Sequence, residues 1–161
     1  MNKDIEIVYI KTPIGVCEIK GSAHGISQVS ILDNEALISK TIPKSLQNCV
    51  TQLEEYFKGE RKVFELQLDY IGTDFQKTVW ESLNSIPYGK TTSYLKQARL
   101  LGDEKAIRAV ATANGKNPFG IVLPCHRVIG TDGSLTGYAS GVWRKKWLLE
   151  HEQGCKQQSL F

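Results

Sequence analysis

The chain has 161 residues, of which 41% are hydrophobic and 23% charged, as in an average folded domain. This composition excludes collagen-like, mucin-like and fully disordered chains. No apolar run approaches the roughly 20 residues of a membrane-spanning helix. Residues 1–6 lack the apolar stretch of a secretory signal, so we expect a cytoplasmic protein without a membrane partner.

The formal net charge of +3 is unevenly distributed along the chain. Residues 1–72 hold 8 basic and 10 acidic residues, whereas residues 73–161 hold 12 and 7. The second part is therefore expected to face an anionic partner, with ordinary scatter of surface charge as the alternative. In a cytoplasmic protein we expect the four cysteines to be free thiols. Because the chain has no CxxC pair and its three histidines are scattered, we expect no metal site.

The first part of the chain predicts a small α+β domain. Apolar residues recur at helical spacing between Leu46 and Phe57, and Gly59 ends that run. Four segments alternate between apolar and polar side chains; the first three predict an antiparallel sheet and the last a further strand. These segments are residues 5–10, 16–19, 25–31 and 63–68.

After about residue 72 the pattern becomes helical. Thr73 and Gln76 fit a capping box at a helix start. Two short helices joined by a tight glycine turn then predict a helix-turn-helix, with a plain helical hairpin as the equal alternative. These helices span about residues 93–101 and 103–114, and a last helix spans about residues 142–153.

The clearest candidate for chemistry is Cys125, which is followed directly by His126 and Arg127. A cysteine reacts as its thiolate, and a neighbouring base or positive field lowers the pKa of the thiol. Adjacent residues of a strand point to opposite faces, so His126 can reach Cys125 only through a bend or a bridging water. Glu152 could accept from the other imidazole nitrogen and complete a Glu–His–water–Cys relay. These residues alone are compatible with four interpretations: a hydrolase, an acyl carrier, an alkyl acceptor and a buried structural cysteine.

The segment around Cys125 closely resembles the active-site signature of the O6-alkylguanine-DNA alkyltransferases, in Asn117-Pro118 followed by residues 121–128. Other segments also fit this family, the first two in its helix-turn-helix: residues 88–94, 106–110, 137–139 and 147–149. The resemblance covers residues 72–154. Residues 1–71 match only as the variable amino-terminal domain of the family.

The resemblance implies an α+β fold of two domains and a tail. A small amino-terminal α/β scaffold domain of the RNase H-like type is expected at residues 1–71. A mostly helical DNA-binding domain, with the helix-turn-helix and the active site, is expected at residues 72–154, and a tail at residues 155–161. The resemblance also implies a monomer that needs no cofactor and no metal.

The reaction implied by the resemblance is direct-reversal repair of double-stranded DNA. Cys125 would take an alkyl group, such as methyl, from O6-alkylguanine, with O4-alkylthymine as a further candidate substrate. His126, through water and Glu152, would take the thiol proton, Tyr94 would protonate the leaving guanine, and Asn117 would brace the turn. Because water does not cleave the resulting thioether, each molecule would act once.

The resemblance also implies that the damaged base is flipped out of the duplex. Arg108 would replace the base in the stack while Tyr94 crowds the backbone phosphate. The small residues Ala109 and Ala113 would let the second helix lie in the minor groove. The other expected DNA contacts are Thr92 and Ser93.

The flipped base would lie in a pocket whose expected residues are Val128, Tyr138, Ala139 and Ser140. Backbone carbonyls of Cys125 and Val128 would accept from the exocyclic amine, and the Ala139 N–H would donate to O6. Some relatives have Ser or Gly at position 139. Alanine there keeps the backbone contact and removes a hydroxyl contact.

The last five residues, Gln157 to Phe161, resemble the peptide by which bacterial repair proteins dock on the replication sliding clamp. Leu160 and Phe161 would be apolar anchors and Gln157 a polar hook. A tail that folds back or is disordered is the alternative. Two other functions are considered for the whole chain. One is a DNA-binding regulator in which Cys125 is structural, and the other is a cysteine hydrolase with turnover.

Overall fold

The computed structural model describes residues 4–34 and 37–154. The chain divides into two compact units, Met1–Ile71 with Pro118–Val122 and Gly72–Asn117 with Leu123–Phe161. The predicted mixed α+β class is confirmed. In the described ranges no helix combines the length and the apolar character needed to cross a membrane. The predicted tail at residues 155–161 lies outside the described residues.

The first unit contains a three-stranded antiparallel sheet in the order β1-β2-β3. Alternate side chains of a strand share a face, so apolar residues such as Val8, Ile19 and Val29 lie buried together. Helix α1 packs on the sheet and buries Leu46 and Leu53 at helical spacing. The three predicted strands and the helix are therefore confirmed. Their bounds are Glu6–Thr12 for β1, Gly15–Ser22 for β2, Gly25–Ile31 for β3 and Lys44–Phe57 for α1.

The further strand predicted at residues 63–68 is wrong, because only Leu68 forms an isolated bridge, with Ile26 of β3. Two other sets of hydrogen bonds take the place of the backbone pairing that a strand at residues 63–68 would make. The Gln52 side chain accepts from Glu65 N at 2.9 Å and donates to Glu65 O at 3.1 Å. At Val29, further along β3, the strand edge is occupied by residues 118–120, where Val29 N donates to Pro118 O at 2.8 Å. Two segments share this edge, so neither extends into a strand.

Three of the four helices of the second unit contribute to a small core formed by Val79, Ala98, Val110 and Ala113. Its first helix begins with the predicted capping box, which is confirmed. Thr73 Oγ1 accepts from Gln76 N at 3.1 Å, and Gln76 Oε1 accepts from Thr73 N at 3.0 Å. The helices of this unit are α2, Asp74–Ser82; α3, Tyr94–Leu100; α4, Ile107–Gly115; and α5, Val142–Glu152.

Helices α3 and α4 form the predicted pair with a tight glycine turn. The Ser93 side chain caps α3 by accepting from Lys96 N at 3.0 Å. Gly102, with φ of 96°, takes the left-handed conformation that ends a helix. Asp103 then caps a 3-10 turn over Glu104–Ala106, so the α-helix itself begins later than predicted, at Ile107.

Candidate active site

Cys125 lies on a short 3-10 turn, Cys125–Arg127. This turn bends the chain at the position where His126 needs either a bend or a bridging water to reach Cys125. Arg127 N donates to Pro124 O at 3.0 Å to close the turn. The Asn117 amide donates to Leu123 O at 2.9 Å and so ties the approach to the turn. Cys125 is half-buried.

Two short parallel strands hold this turn against the start of the helix pair. They are β4, Thr92–Ser93, and β5, Val128–Ile129, with Thr92 opposite Val128 and Ser93 opposite Ile129. The residues just after the turn are thereby paired with the residues just before α3. Nothing in the local pattern of either dipeptide predicts this pairing, because it joins segments far apart in the chain.

Glu152 accepts hydrogen bonds from several sides in a buried network. Its Oε2 lies 2.6 Å from His126 Nε2. Arg127 donates from Nε to Oε1 at 2.8 Å and from Nη2 to Oε2 at 3.0 Å, and Gly89 N donates to Oε1 at 3.2 Å. Burial raises the pKa of Glu152, but the hydrogen bonds from His126 and Arg127 and the charge of Arg127 outweigh it and lower that pKa far below its ordinary value. Glu152 is therefore an ionised acceptor.

The charge on Glu152 decides which tautomer His126 adopts. A carboxylate only accepts, so Nε2 of His126 must donate the 2.6 Å bond. Burial lowers the pKa of His126, with Glu152 opposing, so the ring is neutral at pH 7 and Nδ1 carries a free lone pair. Among the described residues, Nδ1 is a buried atom without a hydrogen-bond partner. An unpaired buried acceptor suits a proton-transfer role.

The thiol of Cys125 is not activated by its sequence neighbour Arg127, whose guanidinium is held by Glu152 and by the Ile86 carbonyl at 2.7 Å. Burial raises the pKa of Cys125 above its ordinary value, and Asn117 and Lys145 oppose this rise. Cys125 is thus a thiol at neutral pH, which makes a base necessary for reaction.

Lys145 is the residue that sequence reasoning missed. Only 1% of it is exposed, and its Nζ donates to Thr136 O at 2.9 Å and lies 3.4 Å from the Tyr94 hydroxyl. Burial lowers its pKa to about 8, and Cys125 opposes this shift. A signal was present, because positions 145, 148, 149 and 152 follow the i, i+3, i+4, i+7 spacing of one helix face.

Tyr94 begins α3, and its hydroxyl donates to Thr136 O at 3.2 Å. Thr136 starts the loop that carries the expected pocket residues. In this loop Tyr138 and Ser140 are half-buried and Ala139 is exposed. Gly141 N donates to Tyr138 O at 3.0 Å and closes a turn around Ala139.

The outer surface of α4 presents two of the expected DNA-contacting residues, Arg108 and Ala109, which are both exposed. Ala113 differs, since only 3% of it is exposed and it packs in the core of the unit. Its carbonyl accepts from Trp80 Nε1 at 2.8 Å. Ala113 is expected among the small residues that face the minor groove, but it packs in the core instead, because α4 turns this position towards α2. Thr92 and Ser93 are half-buried, and the Ser93 hydroxyl serves as the cap of α3.

The fold and the site together define a two-unit protein whose helix-turn-helix unit carries a cysteine and a buried histidine–glutamate pair. Residues 7–70 match the family described as 6-O-methylguanine DNA methyltransferase, ribonuclease-like domain. Residues 74–154 match the family described as 6-O-methylguanine DNA methyltransferase, DNA binding domain. The chain belongs to the 6-O-methylguanine DNA methyltransferase family.

Similar proteins span nearly the whole chain. The methylated-DNA–protein-cysteine methyltransferase of Methanosarcina acetivorans is 43% identical over 152 residues, which cover 90% of this chain and 96% of that protein. The crystal structure of Mycobacterium tuberculosis O6-methylguanine methyltransferase has a TM-score of 0.84 and 42% identity, covering 93% of each chain. The crystal structure of Mycobacterium tuberculosis OGT in complex with DNA has a TM-score of 0.83 and 43% identity, covering 91% of each chain.

Proposed function

We propose that this protein repairs double-stranded DNA by direct reversal, moving an alkyl group from O6 of guanine to Cys125 in a single turnover. The observation that carries the proposal is the buried His126–Glu152 pair. In the part of the chain that the structure describes, Nδ1 of the neutral His126 ring has no hydrogen-bond partner, and His126 directly follows the protonated Cys125. The names of the similar proteins support the same reaction.

The first step is removal of the thiol proton. His126 Nδ1 accepts it through a bridging water, and Glu152 stabilises the imidazolium that forms. The thiolate of Cys125 then attacks the alkyl carbon in line, so that the sulfur–carbon bond forms as the carbon–O6 bond breaks. Asn117 holds the turn in place while this happens, through its bond to Leu123 O.

The leaving guanine needs a proton, which Tyr94 supplies at N3. Burial raises the pKa of Tyr94, and Cys125 adds to this rise, so the phenol keeps its proton until the base acquires negative charge. The ammonium group of Lys145, 3.4 Å from the Tyr94 hydroxyl, then stabilises the phenolate. The product is neutral guanine in the DNA and a thioether on the protein, which water does not cleave.

The base reaches Cys125 only after leaving the duplex, because a base that stays stacked cannot enter the pocket of this half-buried cysteine. In this proposal Arg108 on α4 fills the vacated space, with Ala109 against the minor groove and Thr92, Ser93 and Tyr94 along the backbone. The flipped base lies between Val128 and the loop of Tyr138, Ala139 and Ser140. The Ala139 N–H donates to O6, while the Cys125 and Val128 carbonyls accept from the exocyclic amine.

Intact-mass measurement after incubation with a duplex containing O6-methylguanine tests the reaction. We expect a single gain of one CH2 group, located on Cys125 by peptide mapping, in a stoichiometry of one per chain. Sequence-specific DNA binding without a mass gain would instead indicate a regulator, and repeated turnover of an ester or amide would indicate a hydrolase. The same assay with O4-methylthymine tests the second substrate.

We further propose that Gln157–Phe161 docks on the replication sliding clamp, which would bring the protein to newly copied DNA. These residues lie outside the described part of the chain, and the proposal rests on their sequence alone. A pull-down with the clamp of the same host should retain the full chain and lose a chain that ends at Gly154. Equal retention of the two would refute the docking.

We also infer that the protein acts as a monomer, since every residue assigned to the reaction comes from one chain. Size-exclusion chromatography with light scattering, in the presence of a short lesion duplex, tests this inference. A dimer required for transfer would contradict it.

A further inference from the structure

A loop of residues 136–141 leads into α5 and is held near both of its ends by neighbouring basic residues of that helix. Lys145 Nζ donates to Thr136 O at 2.9 Å, at the start of the loop. Arg144 Nη1 donates to Ser140 O at 2.8 Å, near its end. The residues between these two anchors include Ala139, whose backbone N–H is assigned to O6 of the flipped base.

Arg144 is unusual because a charged side chain is buried to make this bond. Only 5% of Arg144 is exposed, although its charge favours contact with water. Its guanidinium lies over the ring of Trp143, 4.6 Å from the ring centroid. Trp143 itself is 56% exposed, which is uncommon for so large an apolar side chain. The indole therefore covers the guanidinium and keeps water from competing for the Ser140 carbonyl.

The loop needs such an anchor because glycine occupies both of its ends. Gly137 and Gly141 have φ of 70° and 102°, conformations that glycine adopts without strain and that leave the unanchored chain many alternatives. Arg144 N also donates to Gly141 O at 3.1 Å, so the side chain and backbone of one residue bond to adjacent carbonyls. These bonds from α5 add to the turn from Gly141 N to Tyr138 O and to the bond from Tyr94 to Thr136 O in holding the loop.

We propose that Arg144, covered by Trp143, is a positioning residue that holds the Ala139 N–H where guanine O6 is received. The proposal rests on the proposed alkyl transfer and deepens it by assigning a role to two residues outside the cysteine relay. Arg144 touches no reacting atom and acts through the Ser140 carbonyl. Its loss therefore affects reception of the base, while the reactivity of the Cys125 thiol is retained.

The test compares Arg144→Ala with Lys146→Ala, which removes the same charge from an exposed position of the same helix. Single-turnover transfer is measured from a duplex containing O6-methylguanine and from free O6-benzylguanine. Loss of one charge-assisted hydrogen bond predicts a rate about tenfold lower for Arg144→Ala with both substrates. Trp143→Ala should lower the rate about threefold, through loss of the cation–π contact. Arg144→Lys should restore part of the rate, because an ammonium can still donate to Ser140 O.

Alkylation of Cys125 by iodoacetamide and affinity for undamaged duplex are measured in parallel. We expect Arg144→Ala to be alkylated by iodoacetamide no more slowly than Lys146→Ala, and to bind undamaged duplex as tightly. If the wild type transfers methyl and Arg144→Ala transfers it as fast as Lys146→Ala, the positioning role is overturned. An equal fall in iodoacetamide reactivity would also overturn it, since the change would then reach the relay itself. Absence of transfer in the wild type would overturn the proposed function first, which distinguishes the two failures.

Discussion

Replacing Glu152 by glutamine tests the buried relay with the least change in shape. Each carboxylate oxygen accepts two hydrogen bonds: Oε1 from Arg127 Nε and Gly89 N, and Oε2 from His126 Nε2 and Arg127 Nη2. An amide has one acceptor oxygen and one donor nitrogen. Two N–H groups must therefore face the new nitrogen, whichever way the glutamine is placed.

The two placements of the amide differ in cost. With nitrogen at the position of Oε1, it faces the N–H groups of Arg127 Nε and Gly89 N, and neither of these donors can become an acceptor. With nitrogen at the position of Oε2, His126 can shift its proton from Nε2 to Nδ1 and accept, which leaves only Arg127 Nη2 opposed. The second placement is favoured. It puts a proton on Nδ1, and His126 then cannot act as the base.

The expected loss in transfer rate is therefore that of a general base, about 10²–10⁴-fold. Removing the counterion of a buried arginine should also destabilise the fold by about 3–5 kcal/mol. Single-turnover transfer from O6-methylguanine duplex, followed by intact mass, measures the first effect, and urea denaturation measures the second. Glu150→Gln, an exposed change on the same helix, is the control. Transfer by Glu152→Gln as fast as by that control would refute the relay.

Three other outcomes are expected. Cys125→Ala should keep its affinity for lesion duplex and lose all transfer, because it removes the nucleophile and leaves α4 unchanged; residual methyl transfer to the protein would contradict this assignment. Arg108→Ala should slow transfer from duplex by about tenfold more than transfer from free O6-benzylguanine, since only the duplex requires base flipping at a cost of a few kcal/mol. The control is Lys105→Ala, an exposed cation just before α4, and equal losses of rate on the two substrates would argue against an inserted arginine. Because the pKa of Glu152 is lowered on folding, its contribution to stability is full above the unfolded value of about 4.3 and is lost as the pH falls. The difference in unfolding free energy between the wild type and Glu152→Gln should therefore shrink from pH 7 to pH 3 in urea titrations, and a constant difference would contradict the assigned charge.

Local features of this protein could be read directly from its sequence. The capping box of Thr73 and Gln76, the glycine stop at Gly102 and the alternation in the first three strands depend on neighbouring residues alone. The adjacent Cys125 and His126, with Glu152 as a partner, could also be named, because these side chains have few other uses in that combination. Helix and strand signals of this kind are short-range, so they survive without knowledge of the fold.

The tertiary structure decided which of those residues meet and which of their charges are buried. Residues 63–68 alternate like a strand, yet Gln52 and residues 118–120 occupy the bonds that a strand would need. Ala113 lies on the inner side of α4, and Lys145 lies beside Tyr94, because helix packing sets which face points inward. The pKa values of Cys125, His126 and Glu152 follow from burial and from partners distant in the chain. Burial and long-range contacts exist only once the chain has folded, so no pattern of neighbouring residues contains them.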